Sequence, residues 1–284
     1  MASLLSAVPP GELDVATLAE MHRIRWWHRI PVGVDSDGRT VYTPGEVRHG
    51  PDGGDWPTTR FGLPTDLSGK TVLDIGAWDG FFSFEAERRG ASRVLAVDVS
   101  QERGGNWGGT RGFNFAHRLL ASRVEFQPIS IYDLTPETLG QFDLVFCFGV
   151  LYHVKDPLRA IEAMASVTRH VALTETAAWE NVRDQRQPLW AFRPGFDGDP
   201  TNYWYPTCAG MEAAARFAGL DASRLVHDSG SRFTLASARS EDSLTLAYGT
   251  DVPSAAPFRP RDPNAIGHRI ARRLLGGRGV AKSD

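Results

Sequence analysis

Early in the chain, the sequence predicts a strand, then a glycine-containing turn, a helix and a second strand that ends on an acid. The apolar run over residues 71–75 predicts a short buried strand, and Gly76 and Gly80 place a turn after it. The apolar spacing of residues 81–89 predicts a helix, and the next apolar strand ends on Asp98. This order is typical of a βαβ nucleotide-binding unit, in which an acid about 20 residues past the turn binds ribose hydroxyls.

The composition of the turn decides between kinds of nucleotide. A dinucleotide site needs three glycines around a pyrophosphate, but only Gly76 and Gly80 are present, which disfavours an NAD dehydrogenase. Asp74 and Asp79 flank and interrupt the turn. Two carboxylates repel a pyrophosphate and attract a cationic sulfonium with its α-amino group. An ordinary turn of some other α/β protein stays the alternative.

The run Asp-Ile-Gly-Ala-Trp-Asp-Gly over residues 74–80 resembles motif I of the class I S-adenosylmethionine-dependent methyltransferases. The resemblance implies that Gly76 lets the backbone approach the methionine part of S-adenosyl-L-methionine and that Asp98 holds the ribose. It also implies that two residues after the third strand flank the adenine. The predicted cofactor-binding residues are Asp74, Gly76, Ala77, Asp79, Gly80, Asp98, Ile131, Tyr132 and Phe148.

Further apolar segments predict the rest of a sheet. Three of them read as strands, at residues 123–132, 141–150 and 170–176. Pro157 predicts the start of a helix, and residues 225–227 and 232–238 predict a closing hairpin. The predicted fold class is therefore α/β, a Rossmann-like class I methyltransferase sheet that is mostly parallel, with an antiparallel last strand and an N-terminal lid segment. Its ligand cleft is expected at the carboxyl ends of the strands.

Composition along the chain predicts three regions. Residues 1–54 are expected to form the N-terminal lid or cap, and residues 55–240 the Rossmann-like domain. A long, aromatic-rich segment near 179–207 is expected to line a substrate pocket, because loops of this length in a compact domain are usually functional. Residues 241–284 are expected to form a basic tail, in which a solvated helix is the default expectation and binding of a partner or an anionic surface is the alternative.

Charge and composition exclude several classes of protein. The 284-residue chain has a net charge of −3 and a pI of about 6.2, which argues against a nucleic-acid partner. Its apolar runs are too short for a membrane span, and the start of the chain lacks the features of a signal peptide. Two cysteines, Cys147 and Cys208, give no disulfide framework. A cytoplasmic protein is expected.

A second pattern narrows the resemblance to one branch of the methyltransferases. Residues 142–157 and 202–207 are similar to the branch that contains the bacterial tRNA wobble-uridine carboxymethyltransferase. In that branch a tyrosine and an arginine hold the carboxylate of carboxy-S-adenosylmethionine, and Tyr152 and Arg232 match them. The branch also uses a lysine before motif I, whereas this chain has no lysine before Lys70. The absence of this lysine predicts that the chain uses ordinary S-adenosylmethionine and transfers a plain methyl group.

Histidines near the predicted cleft are the candidate catalytic groups. Methyl transfer from a sulfonium depends mainly on positioning and desolvation, but a hydroxyl acceptor also needs a base. His153 follows the fourth strand and is the first candidate, with an orienting role as its alternative. His28 is the second candidate, on an N-terminal segment that either closes over the cleft or only caps the sheet. No metal site is predicted, because the spacing of Glu175 and Asp156 is not diagnostic.

The predicted function is S-adenosylmethionine-dependent methylation of an oxygen or nitrogen of a small polar metabolite, such as a sugar or a natural-product intermediate. The alternatives are a tRNA wobble-uridine methyl- or carboxymethyltransferase and a non-catalytic cofactor-binding subunit. The expected partner is a small-molecule substrate, no membrane contact is expected, and homo-oligomerisation stays open. The predicted substrate-binding residues are Trp27, Tyr152, Trp204, Tyr205 and Arg232.

Overall fold

A seven-stranded sheet forms the centre of the fold in a computed structural model that describes residues 11–49, 58–99, 109–180 and 186–249. The strands of the described chain are β1 Pro31–Val34, β2 Thr40–Tyr42, β3 Thr71–Ile75, β4 Arg93–Val97, β5 Glu125–Gln127, β6 Phe142–Phe148, β7 Thr168–Ala177, β8 Trp190–Phe192, β9 Trp204–Pro206, β10 Ala222–Asp228 and β11 Arg232–Ala238. The helices are α1 Val15–His22, α2 Phe81–Arg88, α3 Arg111–Leu119, α4 Pro136–Leu139, α5 Pro157–Ser166, α6 Cys208–Phe217 and α7 Glu241–Tyr248.

The central sheet has the order β10-β11-β7-β6-β3-β4-β5. Strands β3 to β7 are parallel, and β11 runs antiparallel to both β7 and β10. This arrangement confirms the predicted fold class, including the antiparallel last strand. The chain runs from β3 to β4 and β5 on one side and then crosses back to β6 on the other side of β3. The direction of strand addition therefore reverses at β3, and the carboxyl ends of β3, β4 and β6 border one crevice.

Both faces of the sheet are covered, which explains why its central strands are apolar throughout. One face packs against α2, α3, α7 and part of the N-terminal segment. The other face packs against α4, α5 and α6. Successive side chains of β3 pack on opposite faces of the sheet: Val72 packs in the core on the first face, and Leu73 packs in the core on the second.

Local capping fixes where the crevice-forming helices begin. Asp156 accepts a hydrogen bond from the Arg159 amide at the start of α5, and Pro157 occupies the first turn, as the sequence predicts. Thr207 caps α6 in the same way, through its hydroxyl and the Gly210 amide. Each cap therefore defines the first turn of its helix.

Some predicted boundaries differ from the observed ones. The strand predicted over 123–132 extends only over β5, because a 3₁₀ turn at Ile131–Asp133 follows it. Helix α7 begins the region predicted as a basic tail, and it packs on the sheet through Leu244, which is fully buried. The predicted helix farther along the tail lies outside the described residues.

The N-terminal segment belongs to the core of the domain over the part that is described. Trp26 is 4% exposed, and its ring lies edge-on to Phe115 of α3 at 5.8 Å. Its indole N–H donates to the carbonyl of Met21 at 3.0 Å. The segment is therefore anchored by burial of an aromatic side chain and not only by its hairpin of β1 and β2.

Candidate functional site

The turn after β3 is a tight loop that requires glycine at two of its positions. Gly76 has a φ of +74°, and its amide donates to the Val97 carbonyl at 2.8 Å. A Cβ at Gly76 would lie 2.4 Å from Cγ2 of Val150, and a Cβ at Gly80 would lie 2.5 Å from the ring of Phe84. The loop is therefore shaped by both backbone conformation and close packing.

Asp98 lies directly beside this loop. In the parallel pair of β3 and β4, Ile75 is in register with Val97, so the residues that follow each strand are neighbours. The amide of Trp78, whose φ is +48°, donates to Oδ2 of Asp98 at 2.9 Å. The predicted ribose-binding acid thus also holds the loop, which the sequence pattern did not indicate.

The two other acids of the motif have internal partners. Asp74 accepts a hydrogen bond from the Ser83 hydroxyl at 2.6 Å, and burial raises its pKa to about 6. Asp79 is 1% exposed, and its Oδ1 lies 2.5 Å from Nδ1 of His28. Its Oδ2 accepts the amides of Trp27 and His28 at 3.0 and 2.8 Å. These contacts favour structural roles for both acids over the attraction of a cationic cofactor.

His28, the second candidate base, lies in a buried aromatic cluster. It is 8% exposed and packs against Phe81 at 5.3 Å and His49 at 5.1 Å between ring centroids. Trp27, predicted to bind substrate, stacks on Trp78 at 5.5 Å with the ring planes 13° apart. Both residues therefore contact the glycine loop, His28 through Asp79 and Trp27 through Trp78.

The residues predicted to flank the adenine lie one strand farther along the edge. Ile131 is buried, and Tyr132 is half-buried with its hydroxyl accepting the Asp156 amide at 2.9 Å. Phe148, at the end of β6, packs against Phe82 and Phe61 at 4.6 and 5.0 Å between ring centroids. Ile131 and Tyr132 belong to the core on one face of the sheet, and Phe148 packs against the core on the other face. Ile131 and Tyr132 therefore offer an apolar wall of the kind that a planar base contacts.

The opposite side of the crevice holds a charged cluster that the sequence showed only in part. Arg232 donates to both carboxylate oxygens of Glu175, at 2.5 and 2.9 Å, and to the Tyr152 hydroxyl at 3.0 Å. Arg60 approaches the same carboxylate at 3.9 Å, from a 3₁₀ turn ahead of β3. Burial lowers the pKa of Arg232, but the charge of Glu175 outweighs burial and raises this pKa above its ordinary value.

Arg60 and Glu175 were missed for different reasons. The resemblance to the carboxymethyltransferase branch indicates a lysine ahead of motif I, and such a pattern does not detect Arg60, an arginine ahead of β3. The spacing of Glu175 and Asp156 indicates only a metal site, but Glu175 is the one acid of β7, and an acid in a buried strand signals a buried ionic partner.

His153 ends the 3₁₀ turn Leu151–His153 that follows β6. Its Nδ1 lies 3.1 Å from the carbonyl oxygen and 2.9 Å from Oγ1 of Thr201, and that hydroxyl donates to Oδ1 of Asp199 at 2.6 Å. Burial lowers the pKa of His153 below its ordinary value. The sequence did not indicate either partner, because both lie in the aperiodic insert.

The aromatic insert packs against this turn. The Tyr203 amide donates to the Tyr152 carbonyl at 2.8 Å, and the indole of Trp204 donates to the Lys155 carbonyl at 3.0 Å. Tyr205 is 2% exposed and lies edge-on to Phe196 at 5.1 Å, which favours a packing role over the predicted substrate contact.

A cleft of about 500 Å³ lies beside these contacts, lined by Lys155, Phe192, Tyr203 and Trp204. Its walls are mostly aromatic, with a single cation among the four lining residues. Among the described residues no three His, Cys, Asp or Glu side chains are grouped as a metal site would require. The helices described are all too short or too polar to cross a bilayer.

Comparison with known proteins gives one family match that spans more than half of the chain. The family described as "Methyltransferase domain" matches residues 57–222. This match confirms the resemblance to methyltransferases that motif I predicts. The solved structure "Crystal Structure of the N-terminal domain of EvdMO1 in the presence of SAH and D-fucose" has a TM-score of 0.55 and 19% identity, over 80% of this chain and 97% of that one. It supports the fold.

Curated relatives match a shorter stretch. Two proteins named tRNA U34 carboxymethyltransferase are 35% identical over 104 residues, in Campylobacter hominis, and 34% identical over 111 residues, in Pseudomonas paraeruginosa. The matches cover 36% and 39% of this chain and 33% and 32% of the relatives. The chain thus spans about a third of the length of the curated relatives it matches.

Proposed function

The chain belongs to the methyltransferase domain family, and from this premise we propose that it transfers a methyl group from S-adenosyl-L-methionine to an oxygen or nitrogen of a small polar metabolite. A sugar or a natural-product intermediate fits the proposal. The observation that carries the cofactor assignment is the contact between the Trp78 amide and Asp98, which sets the glycine loop and the acid side by side.

The residues at this edge fit S-adenosylmethionine. The loop around Gly76 offers backbone to the methionine part, Asp98 offers a carboxylate to the ribose, and Ile131 and Tyr132 offer an apolar wall to the adenine. The cofactor supplies an electrophilic methyl group. The crystals of the EvdMO1 domain were obtained in the presence of SAH, which agrees with this assignment.

The acceptor side supports a small, polar substrate. The aromatic cleft has a volume within the range of small-molecule sites, and Lys155 places one positive charge on its wall. Tyr203 and Trp204 join this cleft to the turn that bears Tyr152 and His153. His153 is the proposed general base for a hydroxyl acceptor, because burial lowers its pKa and keeps the imidazole neutral near pH 7.

Calorimetry followed by a transfer assay tests the proposal. The full chain is titrated with S-adenosylmethionine, S-adenosylhomocysteine and NAD, and it is then incubated with methyl-labelled S-adenosylmethionine and panels of sugars, phenols and amines. We expect binding of the first two ligands and label in at least one acceptor. Binding of NAD alone would overturn the cofactor assignment, and tight cofactor binding with label only in tRNA would favour the alternative below.

A second candidate function is carboxymethyl transfer to tRNA, which the names of the curated relatives favour. The position of Arg60 beside Arg232 and Tyr152 also favours it, since two guanidinium groups suit a carboxylate. Glu175 weighs against it, because this carboxylate already accepts both hydrogen bonds from Arg232. A competition between S-adenosylmethionine and its carboxylated analogue decides between them, and we expect the ordinary cofactor to bind more tightly.

A further inference from the structure

The hydrogen bonds around His153 determine which ring nitrogen carries the proton. Nδ1 lies within hydrogen-bond distance of the Thr201 carbonyl oxygen, at 3.1 Å. A carbonyl oxygen only accepts hydrogen bonds. Nδ1 must therefore be the donor in this contact, and the neutral ring is protonated at Nδ1.

The second contact of Nδ1 leads to the same assignment. The Thr201 hydroxyl lies 2.9 Å from Nδ1 and 2.6 Å from Oδ1 of Asp199. Burial raises the pKa of Asp199, but its hydrogen bonds from Thr201 and the charge of His153 outweigh burial and keep this pKa below its ordinary value. An ionised carboxylate accepts only, so the hydroxyl donates to Asp199 and its oxygen accepts from Nδ1.

We propose that Thr201 and Asp199 are positioning residues for the reaction, which hold His153 as the Nδ1–H tautomer so that Nε2 bears the lone pair of the base. The inference rests on the proposed function, in which His153 deprotonates a hydroxyl acceptor. The acceptor oxygen forms a bond to the methyl carbon while the carbon–sulfur bond breaks and leaves its electron pair on sulfur. The hydroxyl proton passes to Nε2, and the imidazolium that results is paired with Asp199 through Thr201.

The place of these residues in the chain gives the insert a second role. Thr201 and Asp199 precede Tyr203 and Trp204, which join the aromatic cleft to the turn bearing His153. The same short segment therefore lines the acceptor site and sets the tautomer of the base. The backbone amide of Thr201 also donates to Oδ1 of Asp199 at 2.8 Å, and this bond fixes the carboxylate independently of the hydroxyl.

Nuclear magnetic resonance tests the assignment without any acceptor. The full chain is labelled with ¹⁵N in its 8 histidines, and long-range ¹H–¹⁵N correlation spectra distinguish protonated from unprotonated ring nitrogens. The signals of His153 are those missing from the His153→Gln variant. We expect a protonated Nδ1 and an unprotonated Nε2 in the neutral ring. A neutral ring protonated at Nε2 would overturn the proposal.

Three substitutions separate the two positioning residues. In Thr201→Val, which keeps the backbone carbonyl but lacks the hydroxyl, we expect the Nδ1–H tautomer to persist and the pKa of His153 to fall, because the link to Asp199 is lost. Thr201→Ser should restore this pKa. In Asp199→Asn the pKa of His153 should fall, because Asp199 raises this pKa while the nearby Arg232 lowers it. Thr245→Val, on an exposed face of α7, is the matched control and should change neither property.

The outcomes also distinguish this inference from the proposed function. A pKa of His153 that is unchanged in both Thr201→Val and Asp199→Asn would refute the positioning role even if S-adenosylhomocysteine binds. Conversely, the Nδ1–H tautomer in a protein that binds no S-adenosylhomocysteine would leave the hydrogen-bond assignment standing and refute the cofactor. The signals of the other histidines report whether each variant is folded.

Discussion

Nδ1 of His28 lies 2.5 Å from Oδ1 of Asp79, and the second oxygen of the same carboxylate accepts two backbone amides of the N-terminal segment. The glycine loop is thereby tied to a segment that precedes it by about 50 residues. Since both carboxylate oxygens are engaged within the fold, Asp79 couples the shape of the loop to the packing of residues 26–28. Loss of the contact should therefore affect the stability of the fold.

We expect Asp79→Ala to lower the free energy of unfolding by about 3–5 kcal/mol, because it leaves the His28 ring and two backbone amides without their acceptor. Urea unfolding at pH 7 measures the change. Asp37→Ala is the matched control, since the side chain of Asp37 is 62% exposed in its ion pair with Arg39, and it should cost at most about 1 kcal/mol. Equal losses in both variants would contradict the structural role of Asp79.

The same contact predicts how stability depends on pH. Burial raises the pKa of Asp79, but the charge and hydrogen bonds of His28 outweigh burial and hold this pKa below its ordinary value. Its contribution to stability is therefore complete above the unfolded pKa of about 3.9 and is lost as the pH falls through the lower folded value. Wild type should thus lose more stability than Asp79→Asn between about pH 5 and pH 3.

Gly76→Ala should weaken cofactor binding and destabilise the fold. An alanine Cβ would lie 2.4 Å from Val150, and the φ of +74° is unfavourable for any residue with a side chain. Gly69 has the same φ and open space around it, so Gly69→Ala measures the backbone cost alone, about 1–2 kcal/mol. We expect a larger loss in Gly76→Ala by thermal unfolding, and equal losses would mean that Val150 moves aside freely.

Asp98→Ala should weaken binding of S-adenosylmethionine by about 1.5–3 kcal/mol, because charge-assisted hydrogen bonds to the ribose are lost. Isothermal titration measures the change. Asp98→Asn retains an oxygen for the Trp78 amide and removes the charge, so it separates the support of the loop from contact with the ribose. Unchanged affinity in folded variants would remove Asp98 from the cofactor site.

Glu175→Gln should shift the choice of cofactor toward carboxy-S-adenosylmethionine. The substitution removes the negative charge that pairs with Arg232 and Arg60, and it leaves two partly buried guanidinium groups, one of them in contact with Tyr152. We expect the ratio of the two affinities, measured by competition, to change by at least about tenfold, or 1.4 kcal/mol. Glu125→Gln, in a surface ion pair with Arg93, is the control and should leave the ratio unchanged.

The sequence predicted the sheet, the glycine loop and the start of α5 because each depends on local signals. Apolar periodicity, a glycine at a turn and a proline in the first turn of a helix act over a few residues. Arg60 and Glu175 meet only because a turn ahead of β3 packs beside β7, and no local pattern records that contact. The contact of His153 with Thr201 depends in the same way on how an aperiodic insert folds.

The pH dependence of turnover tests the role of His153 itself. As the general base it should contribute about 10²–10⁴-fold to kcat, so His153→Ala should lose that factor while its affinity for the cofactor stays nearly intact. The imidazole accepts a proton only when it is neutral, and burial lowers its pKa. Turnover of wild type should therefore fall below about pH 6.5, as the pH passes through this lowered pKa.

The fall of turnover at low pH, which is the acidic limb of the pH profile, distinguishes a general base from an orienting histidine. If His153 only orients Tyr152, the loss in kcat should be smaller and the limb should survive in His153→Ala. The exposed His22 provides the control, because His22→Ala should leave both kcat and the limb unchanged. If the acidic limb is still present in His153→Ala, another group must act as the base. An amine acceptor that loses its proton to water would need no base at all. The pH profile of each variant, measured on one acceptor, decides between these mechanisms.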